Sequence, residues 1–465
     1  MNKLKNTSVV ILGAMLLSIL PAKAQYNNLM FYNNYFKTTA SFDIPTALGT
    51  DIKRFSLDIA PLQFYAGNTA FSAQDLYDVY YAASDTTLGP ETQVGYLLQK
   101  VSENTKARNR IYAGINAYPL NFAFKIHKGG NELLTFGLFS KVVGGANFSY
   151  GGQIFDIIRS GNGAYAGENI NLGNFGINSQ VYQEIGFGAA FPVISLADLV
   201  ELRAGFRIKQ LVGIAAIQTA KSDILLYTQE EGKELVFEAD YMVNTAFPPQ
   251  EITPSLIMEG IGRGIGIDAG LSGKVLNKFD VSISMADIGG IRYANNDYIR
   301  NYRANESYTW RGLNIDFDSL ESALSLGIDT VIGDFELIET DDDFRMPIAT
   351  RLVLNGSFGL GQMSKKNMTF YRHNFYFTYI QGFTDVPGNS TIPFVNGAYS
   401  FNLANILTVG SNIGYGGSYG FNMGAFVGLN LAVVRMGFGT NSLFGALAPS
   451  LSRGVDFSFN LAIAF

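Results

Sequence analysis

Chemistry in this 465-residue chain would have to run through two histidines, His127 and His373, because it has no cysteine. Disulfides, thiolate metal sites, cysteine nucleophiles and a lipid-modified N-terminal cysteine are thereby excluded, as is a histidine-rich metal cage. A serine hydrolase needs a base beside its hydroxyl. His373 stands in Thr369-Phe370-Tyr371-Arg372-His373-Asn374-Phe375-Tyr376-Phe377, with no serine within two residues, and His127 adjoins the turn Lys128-Gly129-Gly130. A His-x-Ser pair on one strand is missing at both. The run Gly260-Ile261-Gly262-Arg263-Gly264-Ile265-Gly266 fails the spacing of a dinucleotide loop, and Gly273-Lys274 lacks the upstream glycine of a P-loop. Asp334, Glu336, Glu339, Asp341, Asp342 and Asp343 offer oxygen ligands for a hard cation. Their spacing is not that of a helix-loop-helix calcium site, and the stretch reads as a solvated loop. The sequence therefore predicts no enzyme, no cofactor and no metal.

A second set of charges lies inside otherwise apolar alternating runs: Glu184, Glu201, Arg203, Arg207, Lys209, Asp268, Asp280, Arg351 and Arg372. Alternation puts them on one face, opposite the large apolar residues. Ion-selective pores carry rings of one sign, whereas buried charges of both signs are tolerated when paired. The mixed set fits an internal network of paired charges better than a selectivity surface.

The elements that must carry this face are strands. The chain is 47% hydrophobic and 13% aromatic but only 15% charged, against about 25% charged in ordinary globular proteins. Lys3 and Lys5, the apolar run Val9–Leu20 and Ala22-Lys23-Ala24 read as a signal peptide over 1–24, cleaved between Ala24 and Gln25. Without it, 30 basic residues face 39 acidic ones, a net charge of −9, so a nucleic-acid partner is not expected. No later segment reaches the ~20 apolar residues of a spanning helix.

Strands of a spanning barrel need about 9–11 residues that alternate apolar outward and small or polar inward. Phe55, Leu57 and Ile59 alternate with Arg54, Ser56 and Asp58; Leu202, Ala204, Phe206 and Ile208 with Arg203, Gly205, Arg207 and Lys209. The same period runs through 265–272, 279–285, 351–358 and 421–431. Turn signals at 128–131, 277–278 and 416–418 separate these runs. The reading is an all-β, transmembrane antiparallel β-barrel over 51–465, of about 14 strands (12–16), long ones compared with the five or six residues typical of soluble proteins. Residues 25–50 precede it as an N-terminal plug or periplasmic segment. Long loops fall near 69–105, with a short helix around Ala73–Ala82, and near 295–344, where Ser319–Leu326 also has helical spacing. At the end, Phe457, Phe459, Leu461, Ile463 and Phe465 alternate with Ser458, Asn460, Ala462 and Ala464. This looks like the aromatic-terminated strand read by the barrel-assembly machinery of bacterial outer membranes.

Tyr182-Gln183-Glu184-Ile185-Gly186-Phe187-Gly188, the run Leu202–Gly213 and the run Val281–Ile291 resemble an uncharacterised outer-membrane β-barrel family of Bacteroidota-type bacteria. That family is distantly similar to long-chain fatty-acid transporter barrels. The resemblance covers 40–465, rests on strand patterns and carries no catalytic signature. It implies location in the cell outer membrane, contact with its lipid, and passage of a small apolar or amphipathic solute. The alternative is a structural or accessory barrel that anchors or assembles surface proteins. The early Asn-Pro-Ala of fatty-acid transporters is missing from Tyr32–Ala40.

One strand is interrupted. Ile111, Ala113 and Ile115 point outward before Pro119; Leu120, Phe122, Phe124 and Ile126 point outward after it. A one-residue slip turns every side chain over, and a bulge at a proline absorbs it. Pro119 is thus the candidate kink for a lateral opening.

Overall fold

The computed structural model describes residues 45–48, 54–59, 61–84, 99, 109–129, 131–196, 199–229, 234–248, 259–276, 278–294, 297–310, 338–365, 368–417, 420–431, 433–443, 449–450 and 453–464. Ala24, Gln25, Phe465, the run 319–326 and the acidic residues Asp334 and Glu336 lie outside them.

Antiparallel ladders link the strand segments into one closed barrel of 14 strands. These are β1 (Phe55–Ile59 and Leu62–Asn68), β2 (Asn109–Ala117 and Leu120–Lys128), β3 (Asn131–Tyr150), β4 (Gly176–Leu196) and β5 (Val200–Thr228). Next come β6 (Leu235–Ala246 and Gly262–Val275), β7 (Phe279–Tyr293 and Ile299–Trp310) and β8 (Ile338–Thr340, Phe344–Pro347 and Arg351–Lys365). The set ends with β9 (Met368–Gly382), β10 (Phe394–Leu403), β11 (Leu407–Gly416), β12 (Gly420–Leu431), β13 (Val434–Thr440) and β14 (Gly454–Ala464). β14 closes on β1, with Ser56 opposite Ala464 and Leu62 opposite Phe459. The end at which Val275 pairs with Phe279 and the tight turn Ala404–Ile406 joins β10 to β11 is the turn end; the opposite end, where β9 passes to β10, is the loop end. No helix among the described residues is long and apolar enough to cross a membrane.

The alternation sets the two faces. Phe206, Ile208, Ile265, Leu271, Val281 and Ile283 are exposed on the outside, while Arg203, Arg207, Lys209 and Asp268 are buried on the inside. This is the pattern of a strand between hydrocarbon and a polar lumen. Near the turn end an aromatic belt runs over the outer face of β7 to β10. Phe279 stacks on Phe358 with centroids 4.7 Å apart, and Phe375 lies 5.3 Å from Tyr399. His373 belongs to this belt, its Nδ1 2.8 Å from Tyr399 Oη.

The helix expected near Ala73–Ala82 is α1, Ala73–Ser84. Ser72 and Asp75 start it reciprocally. The Ser72 N–H donates to Asp75 Oδ2 at 2.8 Å, and the Asp75 N–H to Ser72 Oγ at 3.1 Å. Two orphan amides are thereby satisfied at the helix N-terminus. β5, β6 and β7 continue past the loop end as a sheet, where Leu226 of β5 faces Phe237 of β6. A second helix, α2 (Gln153–Ser160), and the short strand Asn169–Asn171 cover one side of it, with Ile157 and Ile170 against Leu226. On this extension Lys221 donates to Asp240. That bond, with Arg303 nearby, holds the Asp240 carboxyl below its usual range.

Two neighbouring strands slip together. In β2, even-numbered residues point inward up to Tyr118 and odd-numbered ones from Asn121 onward. The ladder to β3 shifts by one residue across the break, from Ala117 opposite Val142 to Asn121 opposite Phe139. In β1 the inward set changes from Ser56 and Asp58 to Pro61, Gln63 and Tyr65, and the ladder to β14 shifts likewise. Between β1 and β2 the register is continuous, Ile59 opposite Leu120 and Leu62 opposite Ala117. The Tyr118 N–H donates to Pro61 O at 2.9 Å. Neither proline nitrogen can donate to a ladder, so the slip sits where Pro61 and Pro119 already break pairing.

Candidate functional site

The lumen holds the side chains that chemistry or transport could use. At its centre Lys209 of β5 lies 2.8 Å from Asp268 of β6 and 3.5 Å from Glu184 of β4, and it donates to Asp287 of β7. Arg351 of β8 donates to Asp287 Oδ2 at 3.0 Å. Lys141 of β3 lies 3.5 Å from Glu184, and Arg207 3.9 Å from Asp268. All seven residues are buried. Desolvated charges are tolerated when paired, and every member of this cluster, which spans β3 to β8, has an opposite charge within 4 Å.

Asp287 is placed by a bulge. The β6–β7 ladder shifts between Ile267 and Ala269, and Asp287 takes φ +57. Strict alternation after Ile283 and Met285 would point Asp287 outward; the bulge turns it in. Its backbone N–H then donates to Asp268 Oδ1 at 2.7 Å.

A second group lies closer to the turn end. The Arg203 guanidinium donates twice to Glu132, at 2.8 and 2.7 Å, and once to Glu201, at 3.3 Å. Lys125 lies 3.0 Å from Glu132. Arg203 also donates to two carbonyls of the short helical turn around Pro45–Ala47: Thr46 O at 3.3 Å and Leu48 O at 3.4 Å. This turn sits against Gly205, where a Cβ would come within 2.6 Å of the Pro45 carbonyl carbon. Only glycine lets the segment approach the wall there.

The connection between β9 and β10 folds inward at the loop end. Val386, Asn389 and Ser390 are buried. A Cβ on Gly145 of β3 would meet Pro387 at 2.8 Å, and Gly388 packs at the Tyr65 hydroxyl. Asn389 Nδ2 donates to Thr350 O and Thr384 O, at 3.0 and 2.8 Å, and Arg110 of β2 donates to Asp385. Between this loop and the charges lies an apolar cluster, with Tyr182, Leu211, Ile291, Tyr293, Met346 and Ile348 among its members.

Of the charges picked from alternation, Glu184, Arg207, Lys209, Asp268 and Arg351 meet in the central network, and Glu201 and Arg203 in the second group. Asp280 lies elsewhere, 3.3 Å from Ser357 Oγ. Arg372 stands apart and exposed, donating to Met363 Sδ at 3.7 Å. The sequence reading missed Asp287, Lys141, Glu132 and Lys125. His373 is fixed to Tyr399 on the outer face rather than beside a serine. The acidic residues near 339–343 pair outward: Glu339 lies 2.9 Å from Arg300, and Asp343 accepts from Arg292 at 2.6 Å. Among the described residues no cluster of three or more acidic or histidine side chains could hold a metal.

A closed, antiparallel 14-stranded barrel with an apolar outside and a charged, partly filled lumen is a transmembrane β-barrel. The chain belongs to the family of unknown function DUF5723, whose model matches residues 47–441. Solved structures similar to it include a deletion mutant of the TodX monoaromatic hydrocarbon channel. That pair is 8% identical, with 96% of this chain and 97% of that one covered at a TM-score of 0.44. The TodX toluene transporter of Pseudomonas putida is 8% identical over 96% and 95% of the two chains, TM-score 0.37. A FadL homologue of Pseudomonas aeruginosa is 11% identical over 92% and 94%, TM-score 0.37. No curated protein matches the sequence.

Proposed function

We propose that this barrel passes a small apolar or amphipathic solute across the outer membrane and releases it sideways through its wall. The observation that carries the reading is the seam between β2 and β3 at Pro119. There the ladder skips a residue, and the Ser140 N–H is satisfied by the Asn121 side chain, at 3.3 Å, instead of a strand carbonyl. Leu120 beside it is exposed on the outer face. Straight along the barrel axis a solute would meet the inward loop Thr384–Ser390, the buried charges and the Pro45–Leu48 segment. An apolar solute gains nothing from a desolvated ionic network, whereas a lateral exit delivers it to hydrocarbon. The apolar cluster around Leu211 and Tyr293 offers it a surface inside the lumen. On this reading residues 25–50 act as a plug, the outer belt contacts membrane lipid, and the barrel-assembly machinery inserts the chain.

The test uses purified protein in lipid vesicles and planar bilayers. Uptake of a small aromatic probe, with little steady ionic current, is expected. A large steady current without selective uptake would make it an open pore. Neither uptake nor current would favour a structural or accessory barrel.

A further inference from the structure

The lumen wall is chemically divided. From β3 to β8 it carries most of the buried charges; from β10 through β14 and into β1 amides and hydroxyls predominate, many of them buried, with the carboxylates Asp58 and Asp456 among them. A relay of amides runs across the second sector. Asn396 Nδ2 donates to Asn412 Oδ1 at 3.5 Å, Asn412 Nδ2 to Asn441 Oδ1 at 3.2 Å, and Asn441 Nδ2 to Asp456 Oδ2 at 2.6 Å. The Asn441 N–H and Thr440 Oγ1 also donate to Asp456, at 2.8 and 3.0 Å. Each amide in the relay directs one N–H toward the carboxylate, Asp456 accepts from Asn441 and Thr440 on both oxygens, and the far end, Asn396 Oδ1, is left as an unpartnered acceptor.

Two further amides of this sector are unpartnered at both ends, Asn422 next to Asn396 and Gln63 opposite Ser458, two ladder positions from the Tyr65–Asp456 pair. Asn422 of β12 leaves Nδ2 and Oδ1 without a hydrogen bond, and so does Gln63 of β1 with Nε2 and Oε1. Their side chains are 6% and 2% exposed. Water cannot freely solvate them, and a buried polar group without a partner is destabilising. Glycines are placed to keep these amides flat against the wall. A Cβ on Gly414 would come 2.5 Å from Asn422 Oδ1 and 2.8 Å from Asn396 Nδ2, and one on Gly424 2.7 Å from Asn412 Nδ2. The rings of Phe394 and Phe426 lie over Gly414 and Gly410 in the same sector.

We propose that this amide sector binds the neutral, hydroxyl-bearing head of an amphipathic solute. The proposal rests on the transport reading above and names the class of solute. Free donors and free acceptors lie side by side on Asn422 and Gln63, and a hydroxyl both donates and accepts. A carboxylate head would only accept: it could take the free donors of Asn422 and Gln63, but it would leave the acceptors of Asn396, Asn422 and Gln63 unpaired and would share the sector with the Asp456 carboxyl. An ammonium head would only donate, and Asp456, the natural partner, already accepts from Asn441 and Thr440 on both oxygens. The Phe394 and Phe426 rings supply apolar surface for the carbon faces of such a head or for the alkyl chain.

Three compounds with one eight-carbon chain separate the possibilities: octyl glucoside, octanoate and octyltrimethylammonium. They are titrated calorimetrically, below their micellar range, into the full-length barrel in lipid vesicles, with protein-free vesicles as the blank. Octyl glucoside is expected to bind at least tenfold more tightly than the two charged compounds. Asn422→Leu, and separately Gln63→Leu, are expected to abolish that preference while leaving octanoate unchanged. If a leucine variant does not give a heat-modifiable barrel, Asn422→Ser, which shortens the reach and keeps the site polar, is expected to weaken octyl glucoside several-fold. Equal affinity for all three heads, or a preference untouched by these substitutions, would overturn the amide-sector proposal and leave solute passage standing. Binding of none of the three would overturn both.

Discussion

Arg203 grips Glu132 through two hydrogen bonds, of 2.8 and 2.7 Å, reaches Glu201 with a third, and turns two further donors onto the backbone of Thr46 and Leu48. A guanidinium suits this because its planar fork serves a carboxylate and carbonyls at once. The carboxylate fixes the fork, and the fork fixes the Pro45–Leu48 segment inside the barrel. Arg203→Ala is expected to loosen that segment and raise ionic current in planar bilayers. Arg203→Lys should do so nearly as well, since an ammonium cannot reproduce the fork. Gly205→Leu attacks the same seat from the other side, through the 2.6 Å approach to Pro45. Unchanged current in all three would show that the segment does not limit the lumen.

Asp287 joins Lys209 to Arg351 in a desolvated site. Asp287→Ala leaves two buried cations short of a partner, a change that costs about 3–5 kcal/mol. Asp287→Asn keeps the shape and part of the hydrogen bonding and should cost less. The check is urea unfolding of the vesicle-inserted barrel, read by loss of heat modifiability. Equal stability of wild type and Asp287→Ala would mean that the network is solvated and not structural.

The barrel, its two faces and much of the network were legible because alternation is a strict period of two. Arg203, Arg207 and Lys209 share one parity, opposite that of Phe206 and Ile208, so one strand declares both faces. Asp287 was illegible for the same reason: a bulge reverses parity, and nothing in Ser284-Met285-Ala286-Asp287 marks where it falls. Lys141 hid because β3 carries apolar residues on both parities, with Phe139 and Val143 on its inward side. Glu132 and Lys125 sit beside the turn that joins β2 to β3, where the period is too short to read. Arg372 shows the opposite failure. Its parity is inward, yet it lies near the turn end, where facing the lumen no longer means burial. The inward loop Thr384–Ser390 has turn composition, and no local pattern tells whether such a loop folds in or out.

Val427 is exposed on the outer face of β12, and Asn422 is buried on the inner one. Val427→Arg would put a cation into hydrocarbon, at about 2–4 kcal/mol if it lies near the midplane and less toward either interface. Asn422→Arg points into the polar lumen and should be milder for insertion. Fractions of heat-modifiable protein recovered in the membrane give the comparison. The reverse order would mean that the two faces of β12 are exchanged.

Pro119 carries the prediction on which lateral release depends. Two neighbouring strands slip here, since β1 changes register between Ile59 and Leu62 and β2 at Pro119 while the ladder between them stays in register. The one-residue shift therefore falls on the two flanking ladders, β14–β1 and β2–β3, and at the second the Asn121 side chain accepts from the Ser140 N–H. Pro119→Val restores an N–H that can complete the ladder, and a β-branched side chain suits an extended strand. The variant is expected to assemble at least as well as the wild type and to take up an apolar probe more slowly. Asn121→Ala, which removes the stand-in acceptor for Ser140, should loosen the same seam and act in the opposite direction. Full uptake by Pro119→Val, in a barrel of normal yield and heat modifiability, would mean that the solute does not leave by this seam and that the paired slips at Pro61 and Pro119 only bend the wall.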